Sequence, residues 1–591
     1  MALMPTSFRW PLLLLLLGAL PARAFVPPEV QFCLQHLKST ERARIAQALG
    51  PLEEVPLYQV QLEVDPKGRT VKGRLKVDLV VRGRPLEAVF LRVTPNAFGS
   101  HVQLGQAKVN GQPAKLEEAS AALFVAPLAS AVPVGGTVSL EVSLSAQVPE
   151  GKPGSNSLLG ALGTTEGAGG DHGAYAASED FLSLVGIVPL MPMLQADGRP
   201  TAGPAGLGDL ALYDPSHVLA TITVPSGWKV HATGVALGET PQGDGRTRFT
   251  YAAGAVRDFP VLVSRGYTQA TTTVGGVTVE SHFSAKDAQA GRRVLGYATA
   301  ALSEMERRLG TLPYTTFRVV EAPLTDGAGG MEFPGLITVG TSLYRAVSDP
   351  SQALSGSKEL EMMQQLLGTG GEEAQGMFAH LGKTLERTLE FTVAHEVAHQ
   401  YFPGLVGSDP IASPVVDESL AQYTALLYME WKHGRAAAEA LRNEALVSAY
   451  HLYRMSGGKD GAADRATSDF DSMLEYGALV YGKAPLLHQA SRQLMGDEPF
   501  FRGLRGYVDA YRFRQACSEC LTRELGKASP ANAKALEKLR VRWWKEAHGD
   551  EDLGTATMGS LLGGLGAGGK MDAETQKLFE ELLPGLLNEK L

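Results

Sequence analysis

Cysteine is scarce, with 3 in 591 residues. The run Cys517-Ser518-Glu519-Cys520 is spaced for a local disulfide in an oxidising compartment, which would leave Cys33 unpaired. A second, cysteine-based zinc site would need two more soft ligands nearby, and none is present. A redox-active pair would favour a βα turn, whereas the surrounding pattern is helical. Positive charge is not concentrated anywhere. With 54 Lys+Arg against 63 Asp+Glu the net charge is -9, and without a basic block nucleic acid is excluded as a partner. Long apolar runs are also missing beyond the first residues, so no stable membrane span is expected.

The beginning of the chain has a pattern of its own. Arg9 precedes the leucine run Leu12 to Leu17, and Ala22-Arg23-Ala24 is an A-x-A cleavage signature. The expectation is a signal peptide over 1–24, cut after Ala24, and an exported protein, periplasmic or secreted.

A hydrophobic content of 44% with 20% charged residues describes a packed globular chain, and its length predicts about three or four domains. From 55 to 265 the period is two. Tyr58, Val60, Leu62 and Val64 alternate with polar residues, as do Val71, Leu75, Val77, Leu79 and Val81 after Asp65-Pro66-Lys67-Gly68. Val138, Leu140, Val142, Leu144 and the run Leu219 to Val224 repeat the theme, so an antiparallel sandwich or saddle is expected. Residues 151–173 are glycine-rich and read as a loop. Near 285 the period changes: 286–309 suits a helix ending at Gly310, then strands are expected at Phe317–Val320 and Leu336–Val339. Beyond 352 the pattern is helical, although 352–384, broken by Gly368-Thr369-Gly370-Gly371, has no clear assignment. Trp543-Trp544 reads as core packing. Residues 559–569 look like a linker to a last amphipathic helix at about 572–590.

The most informative pattern is His395-Glu396-Val397-Ala398-His399, followed eighteen residues later by Glu418. Histidines four apart share one helix face, so both imidazoles can reach one ion. Glu396 projects toward the same pocket and can take a proton from a metal-bound water. Glu418 opens a later helix and completes a three-ligand set with the fourth place left for water. Leu385, Leu389, Val393 and Val397 supply the apolar stripe that such a helix needs. This points to a hydrolase with one Zn2+ per chain.

Two more segments extend the pattern: Gly329-Gly330-Met331-Glu332-Phe333-Pro334-Gly335 before the histidines, and Tyr476-Gly477-Ala478-Leu479-Val480-Tyr481-Gly482-Lys483 after Glu418. With the zinc signature, they resemble the aminopeptidase N family of gluzincins, which also contains leukotriene hydrolase. The resemblance runs over about 50–545 and implies a multidomain α+β fold. An N-terminal antiparallel β-saddle would fill 25–265, a thermolysin-like zinc catalytic domain 266–498, and a short C-terminal helical region 499–591.

The resemblance also implies roles. Glu332 would pair with a substrate's free α-amino group, which is cationic at neutral pH. Gly329, Gly330 and Met331 would line the peptide-binding strand, the glycines admitting close backbone approach. Tyr481 would donate its hydroxyl to the tetrahedral oxyanion, with Tyr476 as a competing candidate. Lys483 reads as a solvated helix charge. Some positions depart from the family. Phe333 stands where asparagine is usual, the aromatic pair after the histidines is Tyr401-Phe402, and Asp417 and Ser419 flank Glu418 where asparagine and glycine are common. The β-domain residue that helps to hold the amine has no clear counterpart: the segment Leu182 to Leu194 offers only Glu179 and Asp180 just upstream. The reading is an exported zinc aminopeptidase acting on peptides. Its rivals are an endopeptidase with the same zinc centre and a non-catalytic binding scaffold. Oligomeric state is not readable from the sequence.

Overall fold

The computed structural model describes residues 26–151, 170–204, 207–210, 213–325, 327–349 and 372–557. The leader at 1–24, most of the glycine-rich 151–173, most of 352–384 and all of 559–591 lie outside them, so those expectations stay as they are.

Alternating apolar residues give the N-terminal half its sheets. An eight-stranded sheet runs in the order Val235–Pro241, Arg246–Val256, Ser216–Pro225, Leu57–Asp65, Thr70–Val80, Thr137–Gln147, Val102–Val109, Gln112–Pro113. Val60, Leu62, Val64, Val71, Leu75 and Val77 are all buried, so the period-two face is the core face. The sheet is antiparallel except at its middle, where Leu57–Asp65 runs parallel to Ser216–Pro225. Adjacent repeats can pair by hairpins, but these two strands are far apart in sequence and meet only through tertiary structure. A three-stranded sheet (Leu86–Arg92, Leu123–Val132, Glu117–Ser120) and a four-stranded one (Trp228–Ala232, Val261–Arg265, Phe181–Leu184, Tyr175–Ala177) complete this half.

A mixed five-stranded sheet follows: Tyr267–Val274, Val277–Ser284, Thr316–Ala322, Leu336–Gly340 and, at its edge, Gly330–Phe333. The amphipathic helix Ala288–Leu309 buries Val294, Ala298, Leu302 and Met305 and stops at Gly310, whose φ of 111° suits only glycine. The edge strand turns back through Pro334-Gly335, with Gly335 at φ 72°, and pairs Phe333 with Leu336 and Glu332 with Ile337.

Helices form the rest. The helix Glu372–Ala398 carries His395 on its last turn and leads directly into His399, with Leu385, Leu389, Val393 and Val397 fully buried. The helix Glu418–His433 packs beside it, and Glu390 ties the two by accepting from Tyr428 at 2.8 Å, Lys432 at 2.7 Å and His433 at 3.0 Å. Helices Asp497–Tyr511, Cys520–Ala528 and Ala533–Arg540 lie toward the end. Trp543 and Trp544 are buried there, and the Trp544 indole donates to the Ala484 carbonyl. Cys517 and Cys520 form a disulfide, and Cys33 is a buried free thiol. No described helix is long and apolar enough to cross a membrane.

Candidate active site

His395 and His399 lie one helical turn apart, with their Nε2 atoms 3.0 Å from each other. Glu418 Oε2 is 3.4 Å from each of them. Three donors around a tetrahedral ion with bonds of about 2.0–2.1 Å would stand about 3.3 Å apart, close to these separations. The His399 Nδ1 makes a 2.6 Å bond to the Phe402 carbonyl, which leaves Nε2 as the lone-pair nitrogen. Glu418 Oε2 is buried and has no hydrogen-bond partner among the described residues. Two inward-facing imidazoles and an unpaired carboxylate oxygen are the donor set that a zinc ion takes, and His395, His399 and Glu418 form the only such cluster among the described residues.

Asp417 places that carboxylate. It caps the helix by accepting from the Glu418 N–H at 2.9 Å and accepts from the Ser408 hydroxyl at 2.7 Å. Burial opposes charge on Glu418, but the imidazoles of His399 and His395 beside it hold it below the ordinary carboxylate range.

Glu396 lies beneath the edge strand. A Cβ built on Gly330 would stand 2.4 Å from its Oε1, so only glycine lets the strand pass over this carboxylate. Gly329 is less crowded, a Cβ there standing 3.2 Å from the Thr392 side chain. Burial pushes Glu396 well above the usual range; His399 opposes this, and the charges of Glu332 and Glu418 reinforce it. A carboxyl so placed is suited to hold a proton during turnover.

The two tyrosines occupy different places. Both belong to the helical run through the π-helical turn Gly477–Lys483. Tyr481 donates its hydroxyl to Glu418 Oε1, and its ring lies 5.9 Å from that of His395. The Tyr476 hydroxyl is buried under Gly208, where a Cβ would come within 2.5 Å of it, and no described partner bonds it. Lys483 corrects the sequence reading. It is 1% exposed rather than solvated, because its ammonium faces inward and is met by Asp460 at 2.8 Å and the carbonyls of Gly461 and Glu546. Three donors find three acceptors, so burial is compensated.

Glu332 and Met331 are half-buried on the edge strand. The acidic neighbour sought upstream of Leu182 is not there: Asp180 pairs with Arg265 at the surface, and Glu179 is exposed. Asp209 lies there instead, buried and close enough to Glu332 for the two carboxyls to act on each other. Burial raises Asp209 well above the ordinary range, and the charges of Glu332, Glu418 and Asp417 add to this. Glu332 is raised as well, again by burial first. Asp258, a third acid near Glu332, is pushed up to about 7 by burial. Sequence reasoning passed over Asp209 because a lone Gly-Asp pair between strands carries no period and no motif. Gln400, directly after the second histidine, was also overlooked.

Residues 380–544 match the family model described as the Peptidase family M1 domain. No curated protein matches the chain. Among solved structures, the chain is similar to the M1 zinc metallopeptidase from Deinococcus radiodurans, with 18% identity, 83% of this chain and 94% of that one covered, and a TM-score of 0.54. It is likewise similar to a point mutant of the Deinococcus radiodurans enzyme bound to a Tyr-Ser-Ala substrate, at 18% identity, 84% and 94% coverage and a TM-score of 0.55. At these identities the likeness concerns the fold.

Proposed function

The chain carries a zinc peptidase domain of family M1, and from that premise we propose that it is an aminopeptidase removing N-terminal residues from peptides. The observation that carries this reading is the Asp209–Glu332 pair beside the metal ligands. Two facing carboxyls in a cleft of low dielectric hold a proton between them until a cation arrives, and a peptide's α-ammonium is such a cation. An endopeptidase would have to bury an uncharged backbone against the same acids, at a desolvation cost.

His395, His399 and Glu418 would hold one zinc ion per chain, which when bound would supply an electrophile and acidify a water molecule. Glu396 takes the proton of the attacking water at its carboxylate and returns it to the leaving amine. Tyr481 turns its hydroxyl from Glu418 Oε1 to the developing oxyanion. Gly329, Gly330 and Met331 admit an extended peptide along the free edge of the sheet, and Glu332 with Asp209 fixes where that peptide begins. The enzyme therefore counts from the N-terminus.

The deciding assay compares a fluorogenic leucyl amide with its N-acetylated form. The free amine is expected to be cleaved at least about a hundredfold more efficiently, as loss of a charge-assisted contact predicts. Equal cleavage of the blocked substrate would overturn the exopeptidase reading. Chelation should abolish both activities and stoichiometric zinc should restore them.

Export is part of the same proposal. The Arg9, Leu12–Leu17 and Ala22-Arg23-Ala24 pattern supports it, as does the Cys517–Cys520 disulfide, which belongs in an oxidising compartment. Sequencing the secreted or periplasmic protein should give Phe25 first; a start at Met1 would sink this part.

A further inference from the structure

The edge strand that carries Glu332 is bound to its sheet on one side only, through its pairing with Leu336–Gly340. Its turn needs a second support, and Gln400 supplies one. The Gln400 side chain, 1% exposed, donates from Nε2 to the Phe333 carbonyl at 3.0 Å and accepts at Oε1 from the Gly335 N–H at 2.7 Å. Both main-chain groups are reached by one planar amide, as a neighbouring peptide group would reach them. Gln400 follows the ligand His399, and Phe333 follows Glu332. Two covalent steps and one bidentate contact thus join a metal ligand to the carboxylate proposed to hold the substrate's amine.

We propose that Gln400 is a positioning residue that fixes the span between the metal centre and Glu332, and so sets which peptide bond is cut. This rests on the aminopeptidase reading above. The chemistry of the site selects an amide. Phe333 offers an acceptor and Gly335 a donor, so the clamp must carry one of each on a single carbon; among side chains of this length only the glutamine amide does. A carboxylate would set its second oxygen against the Phe333 carbonyl, and an apolar chain would leave both main-chain groups buried and unpaired. Gln400 touches neither the metal position nor the reacting bond in this structure. Its effect is on where Glu332 stands, and so on how closely the substrate's amine is held.

The test uses the full chain with zinc bound and measures kcat and KM for the free and N-acetylated leucyl amides. Gln400→Met keeps the volume and removes both bonds. For the free amine, KM should rise about tenfold while kcat changes less than about threefold, as expected for lost uniform binding. Cleavage of the acetylated substrate should be unchanged, so the preference for a free amine falls about tenfold, with zinc content still one per chain. Gln400→Glu, which retains the acceptor, should lose less of that preference, and it serves as the reporter if the methionine variant does not fold. A wild-type enzyme indifferent to acetylation would remove the aminopeptidase reading and this proposal with it. A selective wild type whose variants stay equally selective, or lose both substrates in parallel, would overturn the clamp alone.

Discussion

The metal half of the site and the half proposed to hold the substrate's amine are built in opposite ways. The metal half is three side chains within 24 positions, two on one helical turn and one at the start of the next helix. Its geometry follows from helix periodicity and one cap, Asp417. The other half joins Glu332 on an edge strand to Asp209, which lies between the strands Phe181–Leu184 and Ser216–Pro225 of the N-terminal half. No local rule places those two carboxyls together. The metal half should therefore govern whether any bond is cut, and the amine half which one.

The largest effect should come from Glu396→Gln. With the proton carrier gone, kcat should fall about a thousandfold on free and blocked substrates alike, while metal analysis still finds one zinc. A variant retaining wild-type turnover would place the proton transfer elsewhere and favour a scaffold. Tyr481→Phe comes next. Loss of one oxyanion donor costs ~3 kcal/mol, so kcat should drop about a hundredfold with KM unchanged. If Tyr476→Phe produced that result instead, the buried tyrosine under Gly208 would be the donor.

Asp209→Asn should separate the halves. KM for the leucyl amide should rise about tenfold, cleavage of the acetylated analogue should hold, and zinc content should not change. A parallel loss on both substrates would make Asp209 structural.

The smallest effect concerns the β-sheet half that contains Asp209. His217 is fully buried; its Nε2 bonds the Leu52 carbonyl and its Nδ1 accepts from the Ala255 N–H, so only a neutral ring fits. Burial lowers its pKa from 6.5 to about 4. Above about pH 6.5 the ring is neutral in folded and unfolded chains and contributes no slope. Below it the unfolded chain takes a proton that the folded ring refuses, so stability falls as pH drops toward about 4, by about 1.4 kcal/mol per unit. His36, His231 and His488 are held neutral by burial as well, so denaturant unfolding from pH 6.5 to 5 should show a steeper combined slope, and His217→Gln should reduce it by about 1.4 kcal/mol per unit. An unchanged slope would reassign the proton.

The fold was legible wherever one period persisted. Val71 to Val81 and Val138 to Leu144 showed their strands, and Leu385 to Val397 showed the helix bearing the histidines, because side-chain direction is set by local backbone geometry. The parallel pairing of Leu57–Asp65 with Ser216–Pro225 was not legible, since strands so distant carry no mark of their partner. Lys483 was misread for a related reason. A lone lysine in a helical pattern is ordinarily solvated, and only the arrival of Asp460 and Glu546 from other segments reverses that.

By itself the sequence determined the metal chemistry, because two imidazoles and an acid at helical spacing need little beyond helix formation to meet. That a side chain at 330 would strike Glu396 was visible only in the structure. Only the tertiary structure decided that Asp209 faces Glu332, that Gln400 closes the turn at Phe333 and Gly335, and that Tyr481 rather than Tyr476 reaches Glu418. Those contacts join segments far apart in the chain, and packing rather than local periodicity brings them to hydrogen-bond distance.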